Sequence, residues 1–502
     1  MTAPVKASSF TLKTIIDNTD KLITELEAAG YEAYYVGGCV RDHLMDRTTS
    51  DIDVTTSATP DEIKRVFAGC RVLETGIRHG TLTVFTEQIA GRFETADMAS
   101  HPKGLPVEVT TFRTESGYSD SRHPDSVFFV QNLKEDLGRR DFTINAMAMD
   151  VSGNIIDLYG GRSDIKAKLI RAVGDPDARF SEDALRIMRA MRFAAVLDDG
   201  AAGGAGFAAD SAGFAVEPET EAAMFRNKEL LKNISAERIF AELRKLVVGP
   251  HAGIVIRRYV DIIGVVIPEL LALKGFAQHN PYHRYDVLEH CVRTLEMCHD
   301  SAPVALAALL HDVGKPNTFS LDGEGVGHMY GHPAEGEVIA RNIMQRLKAD
   351  NDTASHVCTL VKHHDLVFQK DKKLLKRWMN RYTPEILLEI LQIKRADNFA
   401  TGNMSGDLAQ KFNEIEGMIH EILDAGEPFG LKDLAIDGND LLALYGNCSG
   451  LLHSGGRRAA ITAGPWIGKT LDQLLDDVID GKVENKKETL LDRAKELLNA
   501  GG

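Results

Sequence analysis

The stretch Gly37-Gly38-Cys39-Val40-Arg41-Asp42, followed by Asp51-Ile52-Asp53-Val54, decides the fold of the first part of this chain. The pattern predicts a strand over 31–36 that ends at the glycine pair and a helix over 40–45 that follows it. Glycines at such a turn let backbone amides approach a phosphate, and the helix N-terminus adds a positive dipole. Arg41 lies within reach of the same anion. A glycine pair alone also fits an ordinary turn.

The aspartates of this stretch form a candidate metal site. Asp51 and Asp53 are two positions apart on a predicted strand, so their side chains point to the same face. Neighbouring carboxylates repel each other unless a cation joins them, and Mg²⁺ prefers such oxygen ligands together with waters and substrate phosphates. Two such ions can activate an attacking hydroxyl and neutralise a leaving pyrophosphate. Glu108, on a strand predicted over 107–112, is a candidate third carboxylate, with an exposed strand residue as the alternative.

A second charged motif is Arg139-Arg140-Asp141. Arginine offers a fork of donors to a phosphate, and Asp141 can accept a hydrogen bond from a sugar hydroxyl. The alternative is a surface cluster that caps a helix predicted over 143–149.

A third motif, Glu182-Asp183-Ala184-Leu185-Arg186, opens a helix predicted over 182–197. Asp183 and Arg186 are three positions apart and would share a face of that helix. An acceptor beside a donor fork is what reading the Watson–Crick edge of a base requires. Arg189 and Arg192 extend the positive stripe. The alternative is a salt bridge with solvated arginines.

A separate set of histidines and aspartates is spread over mostly helical segments. A lone histidine is more often structural than a ligand, but an ordered set of histidine and aspartate suits a divalent metal ion. The alternative is a vestigial domain that keeps the fold and binds little. The set comprises His290, His311, Asp312, His332, His364 and Asp397.

Length and pattern indicate several domains. The 502 residues correspond to three or four, with strands and helices mixed up to about residue 155 and helices from about 180 onward. Residues 198–214 are predicted to be a flexible insertion and 447–463 an irregular loop. Further strands are predicted over 81–85 and 154–158, and further helices over 11–30, 60–68, 235–247, 286–298, 334–348, 384–395 and 405–424.

The composition indicates which binding partners and which cellular compartment fit the chain. The net charge of −15 opposes nucleic-acid binding unless basic residues are confined to one face. No apolar run approaches the roughly 20 residues of a membrane helix, and the N-terminus lacks a secretory pattern. Scattered cysteines without a Cys-x-x-Cys spacing indicate reduced thiols. These features predict a cytoplasmic protein without a membrane partner.

Taken in order and spacing, the motifs of the first 192 residues resemble those of the class II CCA-adding tRNA nucleotidyltransferase and bacterial poly(A) polymerase superfamily. The resemblance implies an α+β nucleotidyltransferase head like that of polymerase beta, followed by an all-α neck, an HD body and a tail. The implied domains are a catalytic head over 1–155, a neck over 156–275, an HD domain over 276–402 and a tRNA-binding tail over 403–502.

The resemblance also implies roles for single residues. Gly38, Arg41, Asp51 and Asp53 would carry Mg²⁺-dependent transfer, and Arg140 and Asp141 would contact the ribose. Asp183 and Arg186 would be the protein template for the incoming base, with Glu182 as their positioning partner. Three segments resemble supporting parts of that family: the helix behind the template at 236–243, the loop of the final A addition at 114–130, and a tail that holds tRNA at 434–441 and 464–469.

The run Leu309-Leu310-His311-Asp312-Val313-Gly314-Lys315-Pro316 resembles the HD phosphohydrolase superfamily. The implied ligands are His290, His311, Asp312 and Asp397, with His332 and His364 available for a second metal ion. The identity of the ion stays open. Cyclic phosphates or phosphomonoesters at RNA ends are the hypothesis for its substrate.

Three functions are compatible with these patterns. The first is a CCA-adding enzyme that extends the tRNA 3′ end with C, C and A from CTP and ATP without a nucleic-acid template. The second is a poly(A) polymerase, against which the acidic balance and the lack of a strongly basic C-terminal extension argue. The third is an HD phosphohydrolase or regulator with an inactive head, against which the complete head motifs argue.

Overall fold

The computed structural model describes residues 12–49, 52–77, 80–85, 106–116, 126–197, 213–279, 284–402, 406–448 and 464–500. The chain divides into two compact units, Met1–Ala272 with Ile343–Ala349 and Leu273–Asn342 with Asp350–Gly502. Among the described helices, none is both long and apolar enough for a bilayer crossing.

The first unit begins with a mixed sheet flanked by helices. The elements are α1 (Leu12–Ala28), β1 (Ala33–Val36), α2 (Gly38–Leu44), β2 (Asp53–Thr56), α3 (Pro60–Val66), β3 (Val72–Gly76), β4 (Thr81–Phe85), β5 (Pro106–Thr111), β6 (Arg113–Ser116), β7 (Ser126–Phe129), α4 (Leu133–Gly138), β8 (Met147–Met149) and β9 (Ile155–Asp157). The described strands of the sheet run in the order β3-β4-β5-β2-β1-β8-β9, with β2 and β5 parallel and the other neighbours antiparallel.

The sheet forms because alternate residues of its strands are apolar. Leu82 and Val84 of β4 and Val107 and Val109 of β5 lie in one buried cluster with residues of α1. The neighbouring residues on the strands are polar or partly exposed. This alternation leaves polar residues of β2 and β5 available to build a site.

The prediction of a helix over 143–149 is wrong. Residues Thr143–Asn145 form one short 3₁₀ turn, and Met147–Met149 is a strand between β1 and β9. Met147 and Ala148 are fully buried. Pairing on both sides and burial outweigh the local helix preference of alanine and methionine.

The remainder of the first unit is mainly helical. Its elements are α5 (Gly161–Lys166), β10 (Leu169–Ile170), α6 (Pro176–Glu182), α7 (Leu185–Val196), β11 (Ala215–Val216), α8 (Pro218–Asn227), α9 (Ala236–Val247), α10 (Ala252–Ile263) and α11 (Glu269–Leu273). Strands β10 and β11 form a short parallel pair. Most of the predicted insertion, residues 198–212, lies outside the described residues.

The described part of the second unit consists of helices and one short hairpin, whose antiparallel strands are Ser320–Leu321 and Gly327–His328. Most of the predicted irregular loop, residues 449–463, lies outside the described part of the chain. The predicted class, an α+β head followed by mainly helical parts, is confirmed. The elements are α12 (Val287–Leu295), α13 (Ala302–Leu310), α14 (Lys315–Thr318), β12 (Ser320–Leu321), β13 (Gly327–His328), α15 (His332–Arg346), α16 (Asn351–His363), α17 (Lys372–Tyr382), α18 (Pro384–Ala400), α19 (Gly406–Asp424), α20 (Gly438–Cys448), α21 (Pro465–Ile479) and α22 (Lys487–Ala500).

Candidate functional sites

The turn between β1 and α2 brings two motifs together. Gly37 has φ 82°, a backbone conformation that residues other than glycine rarely adopt. A Cβ at this position would lie 3.0 Å from Nη1 of Arg140 and 3.9 Å from Oδ2 of Asp53. The turn, the strand carboxylate and the arginine motif therefore meet at one point.

Carboxylates line the same end of the sheet. Asp53 is the first residue of β2 and pairs in parallel register with Glu108 of β5, so both side chains point to one face. Glu108 is exposed. Two carboxylates on one face are a donor set that fits a hard divalent cation. Asp51 lies outside the described residues, and its position beside Asp53 stays a prediction.

Arg41 is buried beneath the turn. Its Nη1 donates to Oδ1 of Asn145 at 2.7 Å, and Nη2 donates to Oδ1 of Asp42 at 2.8 Å. Its guanidinium carbon lies 5.2 Å from the ring centroid of Phe193. Gly38 lies against it, since a Cβ there would be 3.6 Å from Nη2 of Arg41. These contacts fix the orientation of Arg41 beneath the N-terminus of α2.

Asp136 is a residue that sequence reasoning missed. Its side chain is fully buried, its Oδ1 accepts from Nε of Arg139 at 3.0 Å, and its Oδ2 lies 3.4 Å from Nη2 of Arg140. Burial alone would raise the pKa of Asp136, but the two arginines lower it. The available signal was its spacing of three and four positions from the arginine pair.

Asp141 is held by partners at both oxygens. Oδ1 accepts from the backbone N–H of Phe142 at 2.8 Å and from Nδ2 of Asn145 at 3.1 Å. Oδ2 accepts from Nε of Arg189 at 2.8 Å. Burial would raise the pKa of Asp141, yet the charge of Arg189 and these hydrogen bonds lower it to about 2. The carboxylate is therefore ionised at neutral pH.

This pKa predicts a pH-dependent loss of stability in Asp141→Asn. The folded-state pKa lies below the ordinary value of 3.8, so the charge stabilises the fold above about pH 4 and this contribution disappears as the pH falls towards 2. The variant should lose about 2 kcal/mol of unfolding free energy at pH 7 and roughly half of that at pH 3. Urea unfolding measures both values. Exposed Asp61→Asn is the control, and a difference that grows at low pH would contradict the assignment.

The helix predicted over 182–197 forms as α7 from Leu185 to Val196, but the prediction that it includes Asp183 is wrong. Asp183 lies between α6 and α7 in an extended conformation, φ −144° and ψ 99°, and its Oδ1 accepts from the backbone N–H of Leu185. This capping bond starts α7 after a break. Asp183 and Arg186 therefore do not share a face of one helix.

Arg238 of α9 fixes the orientation of Asp183. Its Nη2 donates to Oδ2 of Asp183 at 2.7 Å, and Nη1 lies 3.3 Å from Oδ1. A bidentate fork of this kind holds the plane of a carboxylate as well as its position. The sequence predicts a supporting helix over 236–243 but does not single out Arg238.

Arg186 is buried among acceptors. Its Nη1 donates to Oε2 of Glu182 at 2.7 Å and to the carbonyl of Arg179 at 3.0 Å, and Nη2 donates to the carbonyl of Arg139 at 3.0 Å. Glu182 is thus in contact with Arg186, as the positioning role requires.

Arg189 and Arg192 are not solvated arginines. Arg189 binds Asp141, and Nε of Arg192 lies 2.6 Å from Oε2 of Glu242 on α9. Glu242 is 7% exposed and was missed by sequence reasoning. Its signal was a charged residue on the apolar face of an amphipathic helix. Arg189 therefore ties the arginine motif at 139–141 to α7, and Arg192 ties α7 to α9.

The second unit gathers all six residues of the histidine and aspartate set. Asp312 lies between two groups, with Oδ2 facing His290 and His311 at 3.4 and 3.2 Å and Oδ1 facing His332 and His364 at 3.3 and 3.8 Å. Within the described residues, ligand atoms lie within 4.8 Å of one another in the groups His290–His311–Asp397, Asp312–His332–His364 and Cys291–His311–Asp312.

The histidine tautomers fit metal ligation. Nδ1 atoms of His311, His332 and His364 lie 2.7–2.9 Å from the carbonyls of Ala308, Met329 and Val361, respectively. An N–H on each Nδ1 leaves the Nε2 lone pair facing the cluster. Nε2 atoms approach each other at 3.3 Å between His290 and His311 and at 3.2 Å between His332 and His364. Because Nδ1 of both His332 and His364 faces a carbonyl, a cation between these two rings would remove the repulsion of their facing lone pairs.

Charged groups complete this cluster, called here the HD site. Burial lowers the pKa of His364 to about 3, which keeps the ring neutral, while Asp397 has a pKa held well below its usual range against burial by His290 and His311. Nζ of Lys315 lies 2.6 Å from Oδ2 of Asp312, and Nζ of Lys394 lies 3.3 Å from Oδ2 of Asp397. The site opens into a cavity of about 440 Å³.

Three segments of the chain match known protein families. Residues 33–171 match the Poly A polymerase head domain, residues 213–272 match the probable RNA and SrmB-binding site of polymerase A, and residues 287–402 match the HD domain. Proteins with a Poly A polymerase head and proteins with an HD domain are typically dependent on divalent metal ions, and the ligand groups described above agree with that.

Curated relatives extend over the whole chain. A CCA-adding enzyme of Lactiplantibacillus plantarum is 33% identical over 489 residues, which cover 94% of each chain. One from Limosilactobacillus reuteri is 32% identical over 500 residues and covers 98% of this chain and 99% of its own. One from Lactobacillus helveticus is 47% identical over 261 residues, and this match spans 52% of the present chain and 57% of the relative.

A solved structure has the same fold. The crystal structure of the Bacillus stearothermophilus CCA-adding enzyme in complex with CTP superposes with a TM-score of 0.66 at 27% identity. The match covers 97% of this chain and 98% of that one.

Proposed function

Because the chain belongs to the family of CCA-adding enzymes, we propose that it adds C, C and A to the 3′ end of tRNA from CTP and ATP. It is a nucleotidyltransferase that needs no nucleic-acid template. The observation that carries the proposal is the meeting of Asp53, the Gly37 turn and Arg140 at one end of the head sheet. We place the protein in the cytoplasm and divide it at 1–155, 156–275, 276–402 and 403–502 into head, neck, HD domain and tRNA-binding tail.

The head residues take separate parts in the transfer. Asp51 and Asp53, with Glu108 beside them, are the carboxylates that would hold Mg²⁺, and that ion supplies charge neutralisation at the attacking hydroxyl and the leaving pyrophosphate. Gly38 and the N-terminus of α2 receive the triphosphate through backbone N–H groups. Arg41 supports this turn from beneath, so its role in phosphate binding is positional.

The nucleoside is bound by the other motifs. Arg140 contacts the ribose and phosphate, and Asp141 positions Arg189 and accepts from the sugar. Asp183 and Arg186 present an acceptor and a donor to the base edge, with Glu182, Arg189 and Arg192 fixing their surroundings. Cytosine and adenine both offer an amino donor and a ring acceptor on that edge, which a template of one aspartate and one arginine can read.

Extension of a truncated tRNA tests the proposal. The purified chain, supplied with Mg²⁺ and a tRNA lacking its last three nucleotides, should add two residues with CTP alone and three with CTP and ATP together. Unextended tRNA would refute the proposal. Long A tails made from ATP alone on an unrelated RNA would instead identify a poly(A) polymerase of the same superfamily.

Arg238→Ala is expected to lower base selectivity while leaving transfer chemistry in place. Without the fork of Arg238, the carboxylate of Asp183 loses the contact that fixes its plane. The preference for CTP over UTP should fall by about tenfold or more, because small misplacements of a recognition group have effects of that size. Single-nucleotide additions with each triphosphate measure it. Lys245→Ala, an exposed change on the same helix, is the control, and unchanged selectivity in Arg238→Ala would contradict the role.

The HD site supports a second activity, a metal-dependent phosphohydrolase. The donor set His290, His311, Asp312 and Asp397, with His332 and His364, would hold one or two divalent ions, which supply an activated water when bound. Lys315 and Lys394 offer positive charge to a phosphoryl group. Hydrolysis of 2′,3′-cyclic nucleotides and phosphomonoesters in the presence of Mn²⁺, Ni²⁺ or Mg²⁺ tests this. Full hydrolysis by His311→Ala would show that the ligand set is wrong.

A further inference from the structure

The HD cavity has an aromatic platform at its rim. Tyr330 is 79% exposed, the largest exposed fraction among the large apolar and aromatic side chains of the described residues. Its ring is parallel to that of His328 within 7°, with the ring centroids 5.2 Å apart. Both residues line the cavity. An aromatic ring displayed to solvent beside a polar cavity is the arrangement that stacks on a flat ligand.

Hydrogen bonds hold the platform in place before any ligand arrives. Oδ2 of Asp322 lies 2.8 Å from Nε2 of His328, so that nitrogen carries the hydrogen and donates. Nδ1 of His328 then accepts from the hydroxyl of Tyr330 at 3.2 Å. Asp322 is itself fixed, because its Oδ1 accepts from the backbone N–H groups of Glu324 and Val326 at 2.9 Å each. A ring ordered in advance loses less entropy when a ligand stacks on it.

The hairpin that carries the platform is anchored to its own unit. The N–H of Gly327 donates to the carbonyl of His279 at 2.7 Å. A Cβ at Gly327 would lie 2.2 Å from the carbonyl oxygen of Gln278, so the hairpin rests directly on that backbone. Gln278 in turn accepts from Nζ of Lys315 at 2.7 Å, which connects the hairpin to the HD site.

Tyr330 of the platform and the candidate metal ligand His332 belong to one short segment. Tyr330 precedes His332 by two residues, and the carbonyl of Met329, the residue before Tyr330, accepts from Nδ1 of His332 at 2.9 Å. Lys315 and Lys394 line the same cavity of about 440 Å³, a volume within the range of small-molecule sites. Charge for a phosphoryl group and a flat surface for a ring are therefore present in one cavity.

We propose that His328 and Tyr330 form a base-stacking subsite, so that the HD site takes nucleoside phosphates in preference to phosphate esters without a base. This inference rests on the proposed phosphohydrolase role of the HD site and names its substrate class. The phosphoryl group lies at the histidines, aspartates and lysines, and the base stacks on Tyr330. Stacking uses the face of a base, which every base has, so the subsite selects for a nucleobase with little preference among the four.

Binding of a fluorescent nucleotide tests the subsite apart from catalysis. The probe is 2-aminopurine riboside 3′-monophosphate, whose fluorescence is quenched on stacking, titrated into the full chain with Mn²⁺. Signal from nucleotide bound elsewhere is removed by subtracting the titration of His311→Ala. Tyr330→Ala should bind the probe about tenfold more weakly and lose the quench, whereas Tyr330→Phe should stay within about twofold of the unaltered protein. Leu321→Ala, exposed on the same hairpin and outside the cavity, is the matched control.

A base-free competitor separates stacking from a structural effect. Glycerol 2-phosphate should displace the probe with an unchanged inhibition constant in Tyr330→Ala. Equal probe affinity in Tyr330→Ala and the unaltered protein, or a matching loss of glycerol 2-phosphate binding, would overturn the subsite. Weaker probe binding by Tyr330→Ala together with no ester hydrolysis under any metal ion would refute the phosphohydrolase proposal and leave the stacking subsite supported.

Discussion

Asp53→Asn is expected to abolish nucleotide addition, with kcat for C addition falling by about a thousandfold or more. Asparagine keeps the size of the side chain and one oxygen but removes the charge that a divalent ion requires. The carboxylate lies at the meeting point of the Gly37 turn, Arg140 and Glu108. A thousandfold loss corresponds to about 4 kcal/mol of transition-state stabilisation.

Single-turnover extension with radiolabelled CTP measures this loss, and tRNA affinity measured in parallel should change by less than about twofold. Asp61→Asn, in the first turn of α3 with a largely exposed side chain, is the matched control and should retain full activity. Residual addition above about a tenth of the normal rate would remove Asp53 from the metal site. Asp51→Ala is expected to behave in the same way as Asp53→Asn.

Asp312→Asn is expected to empty the HD site of metal ions without affecting CCA addition. Asp312 offers one oxygen to each ligand group, so its charge contributes to both at once. Loss of a charged ligand that contacts the metal ion directly commonly lowers metal affinity by orders of magnitude. Here it also leaves Lys315, which is 6% exposed, without its partner carboxylate. Metal content after dialysis, measured by mass spectrometry, should fall from the level of the unaltered protein to near zero.

Two comparisons make that measurement specific. Asp352→Asn, exposed in the first turn of α16, should keep its full metal content. His332→Ala removes a ligand from one group alone, so it should retain metal at His290, His311 and Asp397. If Asp312→Asn binds as much metal as the unaltered protein, the ion lies elsewhere. If it loses CCA addition with its fold intact, the two activities are coupled.

Much of the fold of the head can be predicted from the spacing of residue types along the chain. Turn residues, strand alternation and the order of charged motifs are local features, so α1, β4 and the Gly37 turn were predictable. The strand Met147–Met149 was not, because its helix-favouring residues become a strand only when β1 and β9 pair with them. The break at Asp183 depends equally on a distant partner, since Arg238 lies 55 residues away along the chain.

The acidic partners of the buried arginines were the hardest part of the sites to predict from the sequence. Sequence shows that Arg139, Arg140 and Arg192 are basic, but not that Asp136 and Glu242 are buried beside them. The histidine set of the HD site was more accessible to prediction, because histidine accounts for only 17 of the 502 residues and the set follows the order of the HD pattern. The Tyr330 platform had no local signal at all, since a lone exposed tyrosine resembles any surface residue.

The turn at Gly37 also restricts which residues the head tolerates at that position. Two independent obstacles apply there, the left-handed backbone angle and the 3.0 Å approach of Arg140, and relieving one leaves the other. Gly38 meets only an ordinary contact at 3.6 Å with Arg41. A library randomised at both positions and sorted for tRNA extension should therefore return glycine alone at the first and a mixture of small residues at the second. The two adjacent glycines, which look equivalent in the sequence, thus differ strongly in their tolerance to substitution.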